Sequence, residues 1–90
     1  MSGIRQIASL LARVEDPGLV EDFLVAILTP REIREVARRW QLVKLLEEGV
    51  SQRTVARKLG MSLCKITRGS RELKKRNSAF KRVIHTYIAP

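Results

Sequence analysis

Residues 51–76, SQRTVARKLGMSLCKITRGSRELKKR, set the architecture of this chain. Val55 and Leu59 stand four residues apart on one helical face, and Ala56 between them is small enough to let a second helix cross closely. Gly60 enters the left-handed backbone region at little steric cost, so it ends the first helix and turns the chain sharply. Ser62 then caps a second helix, whose buried row is expected to start at Leu63 and Ile66. The outside is left to Gln52, Arg53, Arg57, Lys58, Lys65, Thr67 and Arg68, all hydrogen-bond donors or mixed donor/acceptors and mostly cationic. Two short helices around a tight turn, with this polar remainder, predict a helix-turn-helix over 52–72 whose second helix enters a DNA major groove. The bland alternative is a helical hairpin with a solvated basic face, or one that recruits an acidic protein.

Charge is distributed in the same sense. The net charge is +9. Residues 1–50 carry seven basic and eight acidic side chains, whereas residues 51–90 carry eleven basic ones against the single acid Glu72. A near-neutral framework bearing a strongly positive side suits a nucleic-acid partner. An anionic membrane would need a long amphipathic apolar face alongside the charge, and the basic half has none. No apolar run approaches the length of a membrane span, and the opening MSGIRQ lacks the cationic and apolar regions of a signal peptide. A cytoplasmic protein is expected.

At 90 residues the chain predicts a single all-α domain with little core per chain. Ile4, Ile7, Ala8, Leu11 and Val14 recur at helical spacing over 3–14. The segment EDPG at 15–18 interrupts them, and a second helix is expected from near Leu19. That helix, LVEDFLVAIL, is apolar over more than half its circumference, which predicts burial against a second copy of the chain. Thr29, Pro30 and Glu32 form a Thr-x-x-Glu capping box opening a long helix at 30–48, with Ile33, Val36, Ala37, Trp40, Val43 and Leu46 or Glu47 on one stripe and Leu42 and Leu45 on a second edge. Gly49 ends it and Ser51 caps the next helix. Past the helix-turn-helix, Ser78 caps a last packing helix with Phe80, Val83, Ile84, Tyr87 and Ile88 on a broad face, giving six helices in all.

Nothing in the pattern points to catalysis. The one cysteine, Cys64, cannot form an intrachain disulfide, and no His, Cys or carboxylate spacing suits a metal. His85 reads as structural or solvated, and Asp16 and Asp22 have no chemical partner in the sequence. The protein is expected not to be an enzyme.

Four stretches in order, LTPRE at 28–32, RRWQLVKLLEEG at 38–49, SQRTVARKLG at 51–60 and ITRGSRELK at 66–74, resemble the tryptophan repressor family of bacterial transcription regulators. The resemblance spans roughly residues 19–88. It implies a six-helix subunit interlocked with its twin, two projecting reading heads and L-tryptophan as corepressor. It also implies site residues. Arg39 matches the arginine lying over the corepressor ring, and Arg68 the arginine that pairs with its carboxylate. Gly69 matches the residue leaving room for the indole, Val43 a wall residue, and Thr29 the loop whose neighbouring carbonyls receive the ammonium. Glu72 departs from the pattern, standing where the family places a serine against the ligand's amino group. A carboxylate there would either pair with the ammonium or fold back onto Arg68 or Arg76, favouring a changed ligand or none. Read from the residues alone, Arg39 and Arg68 also fit solvated or phosphate-facing arginines.

DNA contacts sort by chemistry. Gln52 and Arg53 are expected on phosphates, with Arg53 also reaching a guanine edge in the family. Lys65 suits guanine O6 and N7, Leu63 or Cys64 a thymine methyl, and Thr67 a phosphate. Lys74, with Lys75, Arg76, Lys81 and Arg82, thickens the electrostatic footprint. A two-fold protein predicts a palindromic duplex site, read by helices about 34 Å apart.

Overall fold

The structure, a computed structural model, describes residues 2–88. They form six helices and no strand: α1 (Gly3–Leu11), α2 (Pro17–Ile27), α3 (Pro30–Glu47), α4 (Gln52–Leu59), α5 (Leu63–Lys74) and α6 (Ala79–Tyr87). The chain divides into two compact units, Met1–Arg34 and Glu35–Pro90.

The first unit holds α1, α2 and the opening turn of α3. The second helix starts two residues earlier than its apolar pattern indicates: Asp16 is its N-cap, the carboxylate accepting from Gly18 N at 2.9 Å, and Pro17 takes the first helical position. Proline there opens a helix rather than breaking one, because its missing N–H would have had no partner. Neither α1 nor α2 buries a single side chain. Leu19, Val25 and Ile27 of α2 are each more than half exposed, although the helix is apolar on nearly every side.

The capping box at the start of α3 forms as its sequence predicts. Glu32 N donates to Thr29 Oγ1 at 3.2 Å, and Thr29 N donates to Glu32 Oε1 at 2.9 Å. These bonds stabilise the charged carboxylate, first through the Thr29 backbone N–H and then through its side chain, and hold Glu32 below the ordinary glutamate range.

The second unit is built on the C-terminal part of α3. Adjacent residues of a helix point about 100° apart, so Leu42 and Val43 serve two different clusters. Leu42 meets Val55 of α4 and Ile66 of α5, with Leu45, Leu46, Val50, Ala56, Leu59 and Met61 around them. Val43 meets Leu73 of α5 and Ile84 of α6, with Trp40, Leu46 and Phe80 around them. The most buried stripe of α3 therefore includes Leu42, while Val36, on the expected main stripe, is half exposed. On α5 the buried row is Ile66, Gly69 and Leu73; Leu63, expected to begin it, is 52% exposed and lies towards the flank of the helix rather than on that row. The last helix buries Ile84 and leaves Val83 and Tyr87 exposed.

Ile66→Ala removes a side chain with no solvent exposure from the meeting point of three helices. It should destabilise the protein by roughly 2–5 kcal/mol in chemical denaturation, with the helix-turn-helix losing amide protection first. A second outcome concerns pH. Because the folded pKa of Glu32 lies below its unfolded value, the stability it contributes is complete above the ordinary glutamate range and is lost as pH falls through the lowered value. Glu32→Gln keeps the reciprocal hydrogen bond without titrating, so the gap in thermal midpoint between wild type and variant should shrink on acidification.

Candidate nucleic-acid interface

Three serines set up the cationic half of the chain. Ser51 caps α4, its Oγ accepting from Thr54 N at 3.2 Å, and its hydroxyl also donates to Thr54 Oγ1 at 2.8 Å. Gly60 follows α4 at φ 62° and ψ 39°, a left-handed conformation that an L side chain would strain, and turns the chain within two residues. Ser62 then caps α5 through Lys65 N at 3.4 Å, and Ser78 caps α6 through Lys81 N at 3.3 Å. Val55 and Ile66, both fully buried, lock α4 and α5 together against α3. The result is a helix-turn-helix whose second helix has a free outer face.

Residues three and four apart share a ridge, which sorts the side chains of α5. Cys64, Arg68 and Arg71 run along the face opposite Ile66 and Leu73, and all three are exposed. Lys65 and Glu72 lie on one flank, on either side of Gly69 along the same ridge. Leu63, half-buried Thr67 and exposed Lys74 lie towards the other flank. The proposed base readers Leu63, Cys64 and Lys65 thus fan across the N-terminal turn of α5, the end that a recognition helix offers to base edges. Arg53 and Arg57 are exposed one turn apart on α4. Gln52, also exposed, donates from Nε2 to Ser70 Oγ at 3.4 Å, tying α4 to α5.

Arg71 was not singled out by its sequence neighbourhood, where it sits between ITRGS and a run of lysines. The i, i+4, i+7 spacing from Cys64 is the signal that finds it. Leu42 is the other omission, since a second apolar edge on α3 carried no sign that it would abut Gly69.

The residues matched to a ligand site are placed as follows. Thr29 belongs to the first unit, and Arg39, Val43, Arg68, Gly69 and Glu72 to the second. Arg39 is exposed on α3 one turn before Val43, which is 1% exposed and faces Leu73 and Ile84. Arg68 stands on the outer ridge of α5, while Gly69 is buried against Leu42. Glu72 pairs with neither Arg68 nor Arg76; it accepts from Lys75 Nζ at 2.8 Å, one helical turn on. With both partners well exposed, that pair contributes at most about 1 kcal/mol and is open to exchange.

His85 Nε2 lies 2.9 Å from Glu47 Oε1, linking α6 to the end of α3. Among the described residues no group of His, Cys, Asp and Glu could hold a metal ion, and no helix is long and apolar enough to cross a membrane. Cys64 is a free, exposed thiol.

Comparison with known proteins gives a consistent result. A sequence profile of the Trp repressor protein family matches residues 2–87. A Trp operon repressor homolog of Chlamydia trachomatis is 32% identical over 88 residues, covering 97% of this chain and 94% of that protein. Homologs of the same description from Chlamydia caviae and Vibrio parahaemolyticus are 38% identical over 73 residues and 35% identical over 78, covering 80% and 86% of this chain and 72% and 76% of their own lengths. No solved structure gives a significant match.

The ridge geometry separates two classes of lysine. Lys74→Ala, on the flank near the C-terminal end of α5, should weaken binding to all duplexes alike and reduce the slope of log affinity against log salt by about one for each phosphate contact removed. Lys65→Ala should instead flatten base preference, by about 1–3 kcal/mol at the base pair it reads. Competition binding over a series of salt concentrations measures both.

Proposed function

The chain belongs to the Trp repressor protein family, and on that premise we propose that it is a sequence-specific DNA-binding transcriptional repressor, acting as a homodimer and gated by an amino-acid corepressor, with L-tryptophan the first candidate. The observation that carries the DNA half is the pairing of α4 and α5 around Gly60 with an outer face of Cys64, Arg68 and Arg71 and no acid on that ridge. Arg53 and Gln52 grip phosphates beside the groove, and Leu63, Cys64 and Lys65 meet base edges. A cytoplasmic setting fits this role.

Dimerisation is supported by the first unit. A helix as apolar as α2 with no buried residue needs a covering surface, and a second copy supplies one. Two-fold symmetry then gives a palindromic operator. With about six phosphate contacts, affinity falls on the order of 10³-fold between 50 and 200 mM salt.

For the corepressor, Arg39 and Arg68 are exposed guanidinium groups without an ion-pair partner among the described residues. A zwitterion held between one arginine on the spine helix and one on the reading head makes charge-assisted bonds in only one placement of the head, and so shifts the population towards it. Glu72, one turn beyond Arg68 on α5, exchanges Lys75 for the ligand's ammonium; Val43, packed against Leu73 and Ile84, and Gly69, packed against Leu42, meet the ring only if it displaces those neighbours.

One observation favours a second reading. Glu72 is already satisfied by Lys75, and Leu42 and Val43 seat the head without any ligand. A corepressor-independent regulator on the same fold accounts for both.

Tryptophan titrated into the protein while binding to a duplex selected from a random pool is followed by anisotropy decides between the two. The corepressor reading expects saturable tightening, and unchanged affinity at saturating tryptophan removes it while leaving DNA binding intact. Arg68→Ala should weaken tryptophan binding tenfold or more, about 1.5–3 kcal/mol for a lost charged hydrogen bond, and affect nonspecific DNA attraction less. A protein that stays monomeric at high concentration with the selected duplex present would overturn the dimer.

A further inference from the structure

The space where Gly69 lacks a Cβ is already filled. A Cβ built at Gly69 would lie 2.8 Å from Leu42 Cδ2 and 3.1 Å from Leu42 Cγ, closer than carbon atoms approach without displacement. Leu42 has little room to yield: it is 2% exposed and packed with Val55 and Ile66, both at 0%. Close-packed interiors transmit such a displacement instead of absorbing it. On the other side of the same helix stand Cys64, Arg68 and Arg71, with Lys65 on the flank. A regular helix moves largely as a rod, so pushing α5 off α3 by the thickness of a methyl group carries those side chains with it. A shift of that size takes a hydrogen bond from optimal length to beyond useful range.

We propose that Leu42 and Gly69 form the seat that positions the reading helix, Leu42 being a positioning residue for base recognition though it is buried away from any duplex. The seat is specific in both directions. Leucine at 42 reaches into the notch, and the absence of a side chain at 69 lets α5 settle at the depth where Leu73 meets Val43 and Ile84. Neither residue alone sets the depth; the sum of their volumes does. The proposal rests on the DNA-binding role given above for its functional readout, but it also predicts a change in the protein without DNA. Trp40, the one tryptophan of the chain, is half-buried against the Val43, Leu73 and Ile84 cluster and reports how closely α5 lies on α3.

The test compares wild type, Gly69→Ala, Leu42→Ala and the double variant, all in the full chain. Three quantities are read: affinity for a duplex selected with the wild-type protein, affinity for a scrambled duplex of the same composition, and the emission maximum of Trp40 without DNA. Gly69→Ala should lose at least tenfold affinity for the selected duplex and less than twofold for the scrambled one, with Trp40 emission shifted to the red. In the double variant the new Cβ occupies the space vacated by the leucine γ and δ carbons. It should therefore recover selected-duplex affinity at least threefold over Gly69→Ala and return the Trp40 maximum towards wild type, a non-additive rescue. Should Gly69→Ala fail to fold, recovery of folded, duplex-binding protein in the double variant carries the same meaning. A double variant no better folded and no tighter than Gly69→Ala overturns the seat, as does a Gly69→Ala protein that keeps wild-type affinity and emission. If the wild-type protein selects no duplex while the Trp40 shift and its rescue appear, the seat stands as a structural coupling and the DNA-binding role is what has failed.

Discussion

Exclusion of water between Leu42, Val55 and Ile66 is the interaction on which the cationic half of the molecule depends. The three side chains come from α3, α4 and α5 and are all but sealed from solvent. Helices of eight and twelve residues do not persist alone in water, because the cost of nucleating them is not recovered over so few hydrogen bonds. Their serine caps satisfy orphaned N–H groups at the starts, but only burial against α3 supplies the remaining free energy. The geometry of the helix-turn-helix is thus a property of α3 as much as of the turn at Gly60.

Placing the apolar row inwards leaves nowhere for the cations but the outer surface. Eleven basic side chains in residues 51–90 repel one another, and a single acid in that region does little to relieve them. Glu72 is tied to Lys75, and Glu47 reaches across from α3 to His85, pinning α6 at its C-terminal end. The remaining positive charge is uncompensated among the described side chains of α5's outer ridge. A polyanion relieves that repulsion, which is why affinity for a duplex and internal electrostatic strain are two aspects of one charge distribution.

The two units meet the same physics with different outcomes. The second has two clusters, each joining three helices, and the first has no buried side chain in α1 or α2. Apolar area left in water in this amount is the observation on which the proposed second copy of the chain rests. It also explains why one chain of 90 residues can carry so high a fraction of Leu, Ile and Val and yet enclose so few of them.

The number and kind of elements follow from local chemistry along the chain. Thr29 and Glu32, Ser51, Ser62 and Ser78 mark helix starts because capping is a local exchange of hydrogen bonds, and Gly60 marks the turn because its left-handed φ is a local steric matter. Charge segregation, and with it the class of partner, was equally legible. The apolar pattern places the start of α2 near Leu19 rather than at Pro17, because the same residue breaks or opens a helix depending on the Asp16 cap before it. The packing of helices on one another settles which stripe of α3 is buried, that Leu63 stays exposed, that Glu72 turns to Lys75, and that Leu42 fills the notch over Gly69. Helical periodicity gives the direction of a side chain about its own axis, whereas burial and partnership depend on how neighbouring helices are set against it, and that information is not local to any stretch of chain.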